Sequence, residues 1–309
     1  MKKIYFLFLI IFLTFLSSFS NSLENKILFK INNEIITSID LLNEIEYLKL
    51  FNKNIESLKD EEILIIAKNS IIKEKIKKLE ILKYTDKLIL DDDIYSNILK
   101  DILKNTNMEN SEKFRSYLKD SILNENFLKE KISIQIIWND LISSKYSNKI
   151  IINDQEIRDE LIKYKKNTLK SLFINELVFE INEGETVNDK YNKIKKTIYE
   201  EGFDKAATKY SISESASSGG EIGWVNENVL EKKLREILIK TNINDLTQPI
   251  QVVGGFLILK VSDIREINQK IDIEKEVLKI KNLRINKQLE QFSNIYFNKV
   301  KKEITINEL

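Results

Sequence analysis

The pattern of apolar and polar residues near the start of the chain predicts a β-hairpin followed by a helix. Apolar side chains alternate with polar ones over residues 27–31, and an Asn–Asn pair separates them from a second extended segment at residues 34–36. Alternation with a period of two is typical of a strand, and Asn pairs favour tight turns. Thr37 or Ser38 is placed to cap the helix that follows.

Most of the first half of the chain shows helical spacing. Ile65, Ile72, Ile76 and Leu79 recur on one face of a helix. The lysines between them, Lys73 and Lys77 included, are expected on the opposite, solvated face. Apolar stripes of this kind are interpreted as core. Similar stripes occupy roughly residues 91–105, 111–121, 124–146 and 154–166.

A last apolar stripe near the C-terminal end predicts one long helix. A long amphipathic helix is not stable alone in water, because its apolar face needs a partner. We therefore expect this helix to pack against the helical N-terminal region. Its apolar residues are Leu278, Ile285, Leu289, Phe292, Tyr296 and Val300.

The segment between these helical regions follows a different pattern. Residues 172–179 alternate like a strand, and EGETVND breaks that pattern before a helix that ends near residue 200. A Gly-rich stretch, a further helix in NVLEKKLREIL and a pair of strands around Gly254 and Gly255 complete the segment. The predicted fold class is therefore α+β and multidomain, with an α+β domain of about a hundred residues inserted into a helical one.

Composition excludes several classes of function. The 49 basic residues nearly balance the 48 acidic ones, so no basic surface is expected to hold nucleic acid. The sequence has no His and no Cys, which excludes disulfides, thiolate nucleophiles, histidine-based catalysis and ordinary zinc sites. The acidic stretch LDDDIYSNI lacks a loop glycine and fits the first turn of a helix better than a calcium site. No nucleotide, cofactor or metal is expected, since no phosphate-binding loop is present either.

The first 22 residues have the order of a secretory signal. Lys2 and Lys3 precede a largely apolar run over residues 4–16, and SSFSNS then offers small residues for cleavage. The run is shorter than the roughly 20 residues that a spanning helix needs, which favours a cleaved signal over an uncleaved anchor. We expect residues 1–22 to be the signal peptide and the mature chain to be exported.

A cluster of glycines marks the α+β segment. Gly219, Gly220 and Gly223 are three of only seven glycines in the chain, and Trp224 follows directly. We expect Gly219 and Gly220 to turn the chain with positive φ, and Gly223 to allow close backbone packing. Together with LTQPIQVVGGFLILKVSDIRE downstream, this stretch resembles the parvulin (PpiC-type) family of prolyl isomerases. The resemblance covers about residues 170–266.

The resemblance extends beyond that domain. A secretory signal, INNEIITSIDL opening a helical region, one parvulin-like domain and a long final helix together resemble the SurA-type periplasmic chaperones. The resemblance implies an N-terminal helical chaperone domain at residues 23–166, a parvulin-like domain at 167–268 and a C-terminal helix at 269–309 that packs on the first. It also implies unfolded outer-membrane proteins and extended, aromatic-rich segments as partners. Better-known members carry two parvulin domains, whereas this chain has room for one.

The parvulin resemblance also assigns site positions. Active members carry two histidines and an Asp or Cys, and these positions hold Glu176, Leu257 and Ser213 here. Leucine has no hydrogen-bonding capacity to replace an imidazole, so catalysis is predicted to be weak or absent. A solvent-facing Glu at a strand edge is the simplest interpretation of Glu176.

Three apolar residues align with or lie near the family's proline pocket. The resemblance places Leu230 and Leu234 at pocket positions, and Phe256 is expected near them. These residues fit a peptide-binding groove or ordinary core equally well. The function favoured by the sequence is a periplasmic chaperone for unfolded outer-membrane proteins. The alternatives are an active exported prolyl isomerase, and an assembly protein that docks one folded partner.

Overall fold

A computed structural model describes two small β-sheets surrounded by helices. The mixed helix and sheet content confirms the predicted α+β fold class. The predicted signal peptide lies outside the described residues. Among the described helices, none combines the length and apolar character required to cross a membrane. The description covers residues 25–105, 111–163, 168–182, 184–268 and 272–308.

The predicted hairpin supplies two neighbouring strands of a three-stranded sheet. Strands β1 (Ile27–Ile31) and β2 (Glu34–Thr37) pair antiparallel, and Asn32 adopts φ 51° in the turn between them. A short strand near the other end of the chain, β7 (Ile306–Glu308), pairs with the free side of β1. The sheet therefore ties the two ends of the described chain together.

Among the described residues, seven α-helices from both ends of the chain form one unit, called here the helical unit. Helix α1 begins with a capping box in which the Thr37 hydroxyl accepts the Asp40 backbone N–H and the Asp40 carboxylate accepts the Thr37 N–H. The helices are α1 (Ser38–Phe51), α2 (Asp60–Ile81), α3 (Asp92–Asn105), α4 (Ser111–Asp120), α5 (Glu125–Tyr146), α6 (Asp154–Lys163) and the long C-terminal helix α10 (Ile273–Lys301).

Helix α10 packs on α2 and α5 through an aromatic core. Trp138 of α5 is fully buried, and its indole N–H donates to the Ser293 hydroxyl at 2.8 Å. The ring of Tyr296 lies 5.7 Å from the Trp138 ring, and Ile76 of α2 completes the contact. Burial of large aromatic rings on facing helices contributes several kcal/mol each, so this cluster holds the C-terminal helix on the N-terminal ones.

Lys77 departs from its predicted place on a solvated face. Its side chain is only 7% exposed, with Nζ 2.6 Å from Gln135 Oε1 and 5.5 Å above the Trp138 ring. Burial lowers the pKa of Lys77 to about 7. The reason is that α1, α5 and α10 all pack on α2, so the face predicted to be solvated is also covered.

The remaining elements form a second unit, called here the α+β unit, over residues 168–268. Its four strands pair antiparallel in the order β4-β3-β6-β5. Helices α7 and α8 cover one face of the sheet and α9 covers the other. The elements are β3 (Thr168–Phe179), α7 (Val187–Glu201), α8 (Phe203–Tyr210), β4 (Glu221–Asn226), α9 (Lys232–Lys240), β5 (Ile250–Val252) and β6 (Gly255–Asn268).

Candidate functional site

The paired glycines bring the segment before β4 against the middle of β3. Gly219 and Gly220 adopt φ 65° and 79°, which confirms the predicted positive φ. The Glu176 N–H donates to the Gly220 carbonyl at 2.7 Å. A Cβ on Gly220 would lie 2.3 Å from the Glu176 carbonyl oxygen, so only glycine allows this approach.

Gly223 has a different role from the one predicted. Apart from its two chain neighbours, no residue has an atom within 4 Å of the position where its Cβ would be, so the expectation of close backbone packing is wrong. Its φ of 84° is the constraint instead. The neighbouring Trp224 is 36% exposed, with the Phe173 ring at 5.4 Å and the Arg265 guanidinium at 4.0 Å from its ring.

The structure links Glu176 to Ser213 through hydroxyl groups. The Glu176 carboxylate accepts a hydrogen bond from the Ser215 hydroxyl at 3.0 Å. Ser215 in turn lies 2.7 Å from the Ser213 hydroxyl, which lies 2.8 Å from the Ser211 hydroxyl. Two of the three positions assigned by resemblance therefore share one polar network. The sequence analysis missed Ser211 and Ser215, although their alternation with Ser213 in YSISES placed all three on one side of an extended segment.

Glu176 does not lie at a strand edge. Strand β3 is internal to the sheet, between β4 and β6, and the Glu176 side chain is only 12% exposed. The interpretation as a solvent-facing edge residue is therefore wrong. A carboxylate that is largely buried needs hydrogen-bonding partners, and Ser215 supplies one of them.

Leu257 lies on the same face of the sheet as Glu176 but outside the polar network. It pairs with Val178 on β3 and is 5% exposed. It belongs to the apolar layer between the sheet and α9, against which Leu230 and Leu234 pack while remaining partly accessible. The third assigned position is thus apolar core, and the polar network stops short of it.

Phe256 lies on the opposite face of the sheet. Its ring stacks on Phe179 at 5.7 Å, within the core formed with α7 and α8. Phe256 is therefore not part of a groove with Leu230 and Leu234, which corrects the prediction. The physical reason is that successive side chains of a strand point to opposite faces, so Phe256 and Leu257 separate.

A lysine from the helical unit also contacts this site. Lys287 of α10 places its Nζ 3.8 Å from Glu176 Oε2 and 3.0 Å from Glu290 Oε2. Burial works to lower the pKa of Lys287, but the carboxylates Glu176 and Glu290 outweigh burial and raise it. Spacing along the sequence gives no sign of this contact, because it joins residues 111 positions apart on different units.

The site contains side chains that can bind a polypeptide. Its hydroxyls and carboxylate can donate to and accept from backbone amides, and the half-buried leucines beside it can cover an apolar side chain. Within the described part of the chain, no cluster of three or more His, Cys, Asp or Glu side chains is arranged to hold a metal ion.

Comparison with known proteins agrees with this geometry. Residues 155–263 match the family described as "Rotamase: PPIC-type PPIASE domain", a range that begins in α6. The chain is 27% identical over 112 residues to Chaperone SurA of Pseudomonas putida (35% of this chain, 26% of the relative). It is 25% identical over 262 residues to Chaperone SurA of Salmonella paratyphi A (81% of this chain, 60% of the relative).

A second group of relatives carries a different name. The chain is 23% identical over 246 residues to Foldase protein PrsA of Geobacillus sp. (75% of this chain, 85% of the relative). The matches to the two SurA proteins therefore span less than two thirds of those proteins, whereas the match to PrsA spans most of it.

Proposed function

We propose that this chain, a SurA-type protein with one PPIC-type parvulin domain, is an exported chaperone that binds unfolded polypeptides. The observation that carries the proposal is the site itself. The parvulin-like fold keeps Gly219, Gly220 and Gly223, and by the family resemblance Glu176 and Leu257 occupy the positions where active members have imidazoles. The fold is retained while the groups for catalysis are replaced, which favours polypeptide binding.

The clients and the compartment follow from the same resemblance. In this proposal the chain binds extended, aromatic-rich segments of unfolded outer-membrane proteins in the periplasm, after loss of the signal at residues 1–22. The near balance of basic and acidic residues supports a polypeptide partner over nucleic acid. Names of relatives that include "chaperone" and "foldase" support the same class of partner.

Apolar side chains on the surface of the helical unit support client binding. Ile65 on α2 is 60% exposed and Leu278 on α10 is 59% exposed, so the prediction that these two residues belong to the core is wrong. Burying about 500 Å² of apolar surface at about 25 cal/mol/Å² gives on the order of 12 kcal/mol before costs. Ordering an unfolded client offsets much of this, so binding remains reversible without nucleotide.

Aggregation of an unfolded outer-membrane β-barrel protein is expected to fall when the chain is present. At equimolar concentration or above, light scattering after dilution from urea should drop at least about twofold, because the bound client is removed from the aggregating pool. Ile65→Asp should weaken this effect, since it places a charge in an apolar contact, whereas Tyr199→Asp on the surface of α7 should not. Absence of suppression at stoichiometric excess would contradict the chaperone proposal.

Prolyl isomerisation is expected to remain at the uncatalysed rate. The barrier of about 18–20 kcal/mol reflects amide resonance, and the site has no imidazole to favour the twisted amide. The measurement is the cis/trans exchange rate of a proline peptide with the protein titrated in and an active parvulin as the reference. Acceleration that disappears in Glu176→Gln would instead place the isomerase function first, with the Glu176–Ser215–Ser213 network as its basis.

A further inference from the structure

Strand β4 forms one edge of the four-stranded sheet, and no other described strand pairs with its outer side. The described elements that pack along it are β3 and the short turn before β4. An unpaired edge strand exposes backbone N–H and C=O groups, and proteins commonly protect such an edge with Lys, Pro or a covering element. The sequence of β4, EIGWVN, contains neither Lys nor Pro. The edge of β4 is therefore open to a further strand.

The register of β4 on β3 places the backbone groups of Trp224 on the open side. The Glu227 N–H donates to the Lys170 carbonyl at 2.8 Å, so these two residues form a hydrogen-bonded pair. Such pairs alternate with non-hydrogen-bonded pairs in an antiparallel ladder. Trp224 lies opposite Phe173, three positions from the first pair, and the register shift lies beyond this stretch, at residues 174–175. The N–H and C=O of Trp224 therefore point away from β3.

An aromatic surface lies directly beside this open strand. The side chain of Trp224 is 36% exposed and contacts the Phe173 ring at 5.4 Å and the Arg265 guanidinium at 4.0 Å. Ile222, also on β4, is 46% exposed. Exposed Trp, Phe and Arg side chains are the kinds of residue that contribute most to binding at interfaces. We call the open side of β4 together with this aromatic surface the β4 edge.

We infer that the β4 edge binds an extended polypeptide segment as a fifth, antiparallel strand of the sheet. This inference rests on the proposed function and gives it a binding position on the α+β unit. One residue of the segment exchanges two backbone hydrogen bonds with Trp224, and its side chain lies on the rings of Trp224 and Phe173. Side chains on a strand alternate between faces, so this surface lies on the opposite face of the sheet from Glu176, Leu230 and Leu234. It is therefore separate from the parvulin-like site.

The chemistry of the β4 edge selects an extended chain as its occupant. An extended segment brings its backbone N–H and C=O groups to Trp224 and places alternate side chains on the aromatic surface at the same time. Strands of β-barrel membrane proteins have this alternation of apolar and polar residues. A second copy of this chain fits less well. Two-fold pairing of β4 with itself about Trp224 places Glu221 opposite Glu227, and like charges directly opposite each other destabilise a sheet.

Amide hydrogen exchange in the full chain tests the added strand directly. The probe is an unstructured peptide in which aromatic residues alternate with Ser or Thr. At saturation it should slow exchange of the Trp224 N–H at least about tenfold, because that group gains a hydrogen bond. The N–H of Val225, which belongs to a hydrogen-bonded pair with Leu172 of β3, should change less than about twofold.

Peptides with blocked backbone N–H groups test the predicted pairing. The residue that pairs with Trp224 carries the aromatic side chain, so N-methylation of the aromatic residues should abolish the slowing at Trp224. N-methylation of the Ser and Thr residues should preserve it, because their N–H groups face away from β4.

Replacing Trp224 tests the aromatic surface. Trp224→Lys should weaken binding of the fluorescently labelled peptide at least about tenfold, since apolar contact is lost and a charge is placed at the edge. Trp224→Phe should change the affinity less than about threefold, because an aromatic ring is kept. Tyr199→Lys, the same kind of change at a 76% exposed aromatic residue of α7, should change it less than about twofold. The exchange measurements use the unmodified chain and therefore do not depend on the folding of Trp224→Lys.

Three results distinguish failure of this inference from failure of the proposed function. Unchanged exchange at Trp224 in saturating peptide, or equal effects of the two methylated peptides, would overturn the inference even if aggregation of an outer-membrane protein is suppressed. Slow exchange at Trp224 without peptide, together with a dimer in sedimentation velocity, would show that a second copy occupies the edge and would also overturn it. Absence of aggregation suppression by the unmodified chain would instead overturn the proposed function.

Discussion

Replacing Gly220 with alanine is expected to lower the free energy of unfolding by about 3–5 kcal/mol. Gly220 adopts φ 79°, which an alanine takes only with strain, and its new Cβ would meet the Glu176 carbonyl oxygen at 2.3 Å. That oxygen belongs to the internal strand of the sheet and cannot move aside without breaking strand pairing. The measurement is urea denaturation followed by tryptophan fluorescence, to which both Trp138 and Trp224 contribute.

Gly223→Ala is the matched control for this change. Gly223 has nearly the same positive φ, 84°, but apart from its two chain neighbours no residue has an atom within 4 Å of its Cβ position. Its replacement therefore costs only backbone strain, about 1 kcal/mol. Equal losses for the two variants would show that strain alone governs both positions and that the close approach of Gly220 to β3 contributes nothing.

The contrast between these glycines bears on function. A glycine at which an added Cβ would lie 2.3 Å from a backbone oxygen is needed for folding, whether or not the site is catalytic. The glycine framework therefore does not by itself support isomerase activity. Whether the chain catalyses prolyl isomerisation depends on Glu176, Ser213 and Leu257. The hydroxyl network includes Glu176 and Ser213, whereas Leu257 lies in the apolar core.

Features that depend on local sequence were predicted well. The hairpin at residues 27–37, the Thr37 cap and the positive φ of Gly219 and Gly220 each follow from a few neighbouring residues. The parvulin resemblance singled out Glu176 and Ser213, but the hydroxyl network that joins them was seen only in the structure. These predictions required no knowledge of how distant segments pack.

Features that depend on packing between distant segments were missed. Lys77 was expected in solvent because its helix shows an apolar stripe, but α2 is covered on three sides. Lys287 was not recognised as a site residue, since nothing in its neighbourhood distinguishes it from other lysines of α10. The burial of Lys131 on α5 was missed for the same reason, since its neighbours in the sequence do not show that it is almost fully buried.

Lys131 lies at the centre of a buried charged cluster. Its ammonium group contacts the carboxylates of Glu44 on α1 and Glu74 on α2, and its Nζ lies 4.5 Å above the Tyr47 ring. Burial works to lower the pKa of Lys131, but the two carboxylates outweigh it and raise that pKa. Burial raises the pKa of the Glu44 carboxyl, even though Lys131 opposes this. The cluster therefore joins three helices through one cation.

Lys131→Met is expected to lower the free energy of unfolding at pH 7 by about 3–5 kcal/mol. Methionine is similar in length, so packing changes little, but two carboxylates lose their shared cation in a buried place. Lys129→Met on the same helix is the control, because the partner of Lys129 is Asp92, whose side chain is 90% exposed. That change should cost no more than about 1 kcal/mol. Both values come from urea denaturation of the full chain.

The loss in Lys131→Met should shrink as the pH falls from 7 towards about 4.5. Without Lys131, the folded-state pKa of Glu44 rises further above its unfolded value of about 4.3, so folding takes up a proton as the pH falls through this range. A group whose folded pKa is raised contributes stability below its unfolded pKa, and that stability is lost as the pH rises through the folded pKa. Urea denaturation at pH 7 and pH 5 should therefore show a smaller difference between variant and wild type at pH 5. An equal difference at both values would mean that the cost arises from packing and not from uncompensated charge.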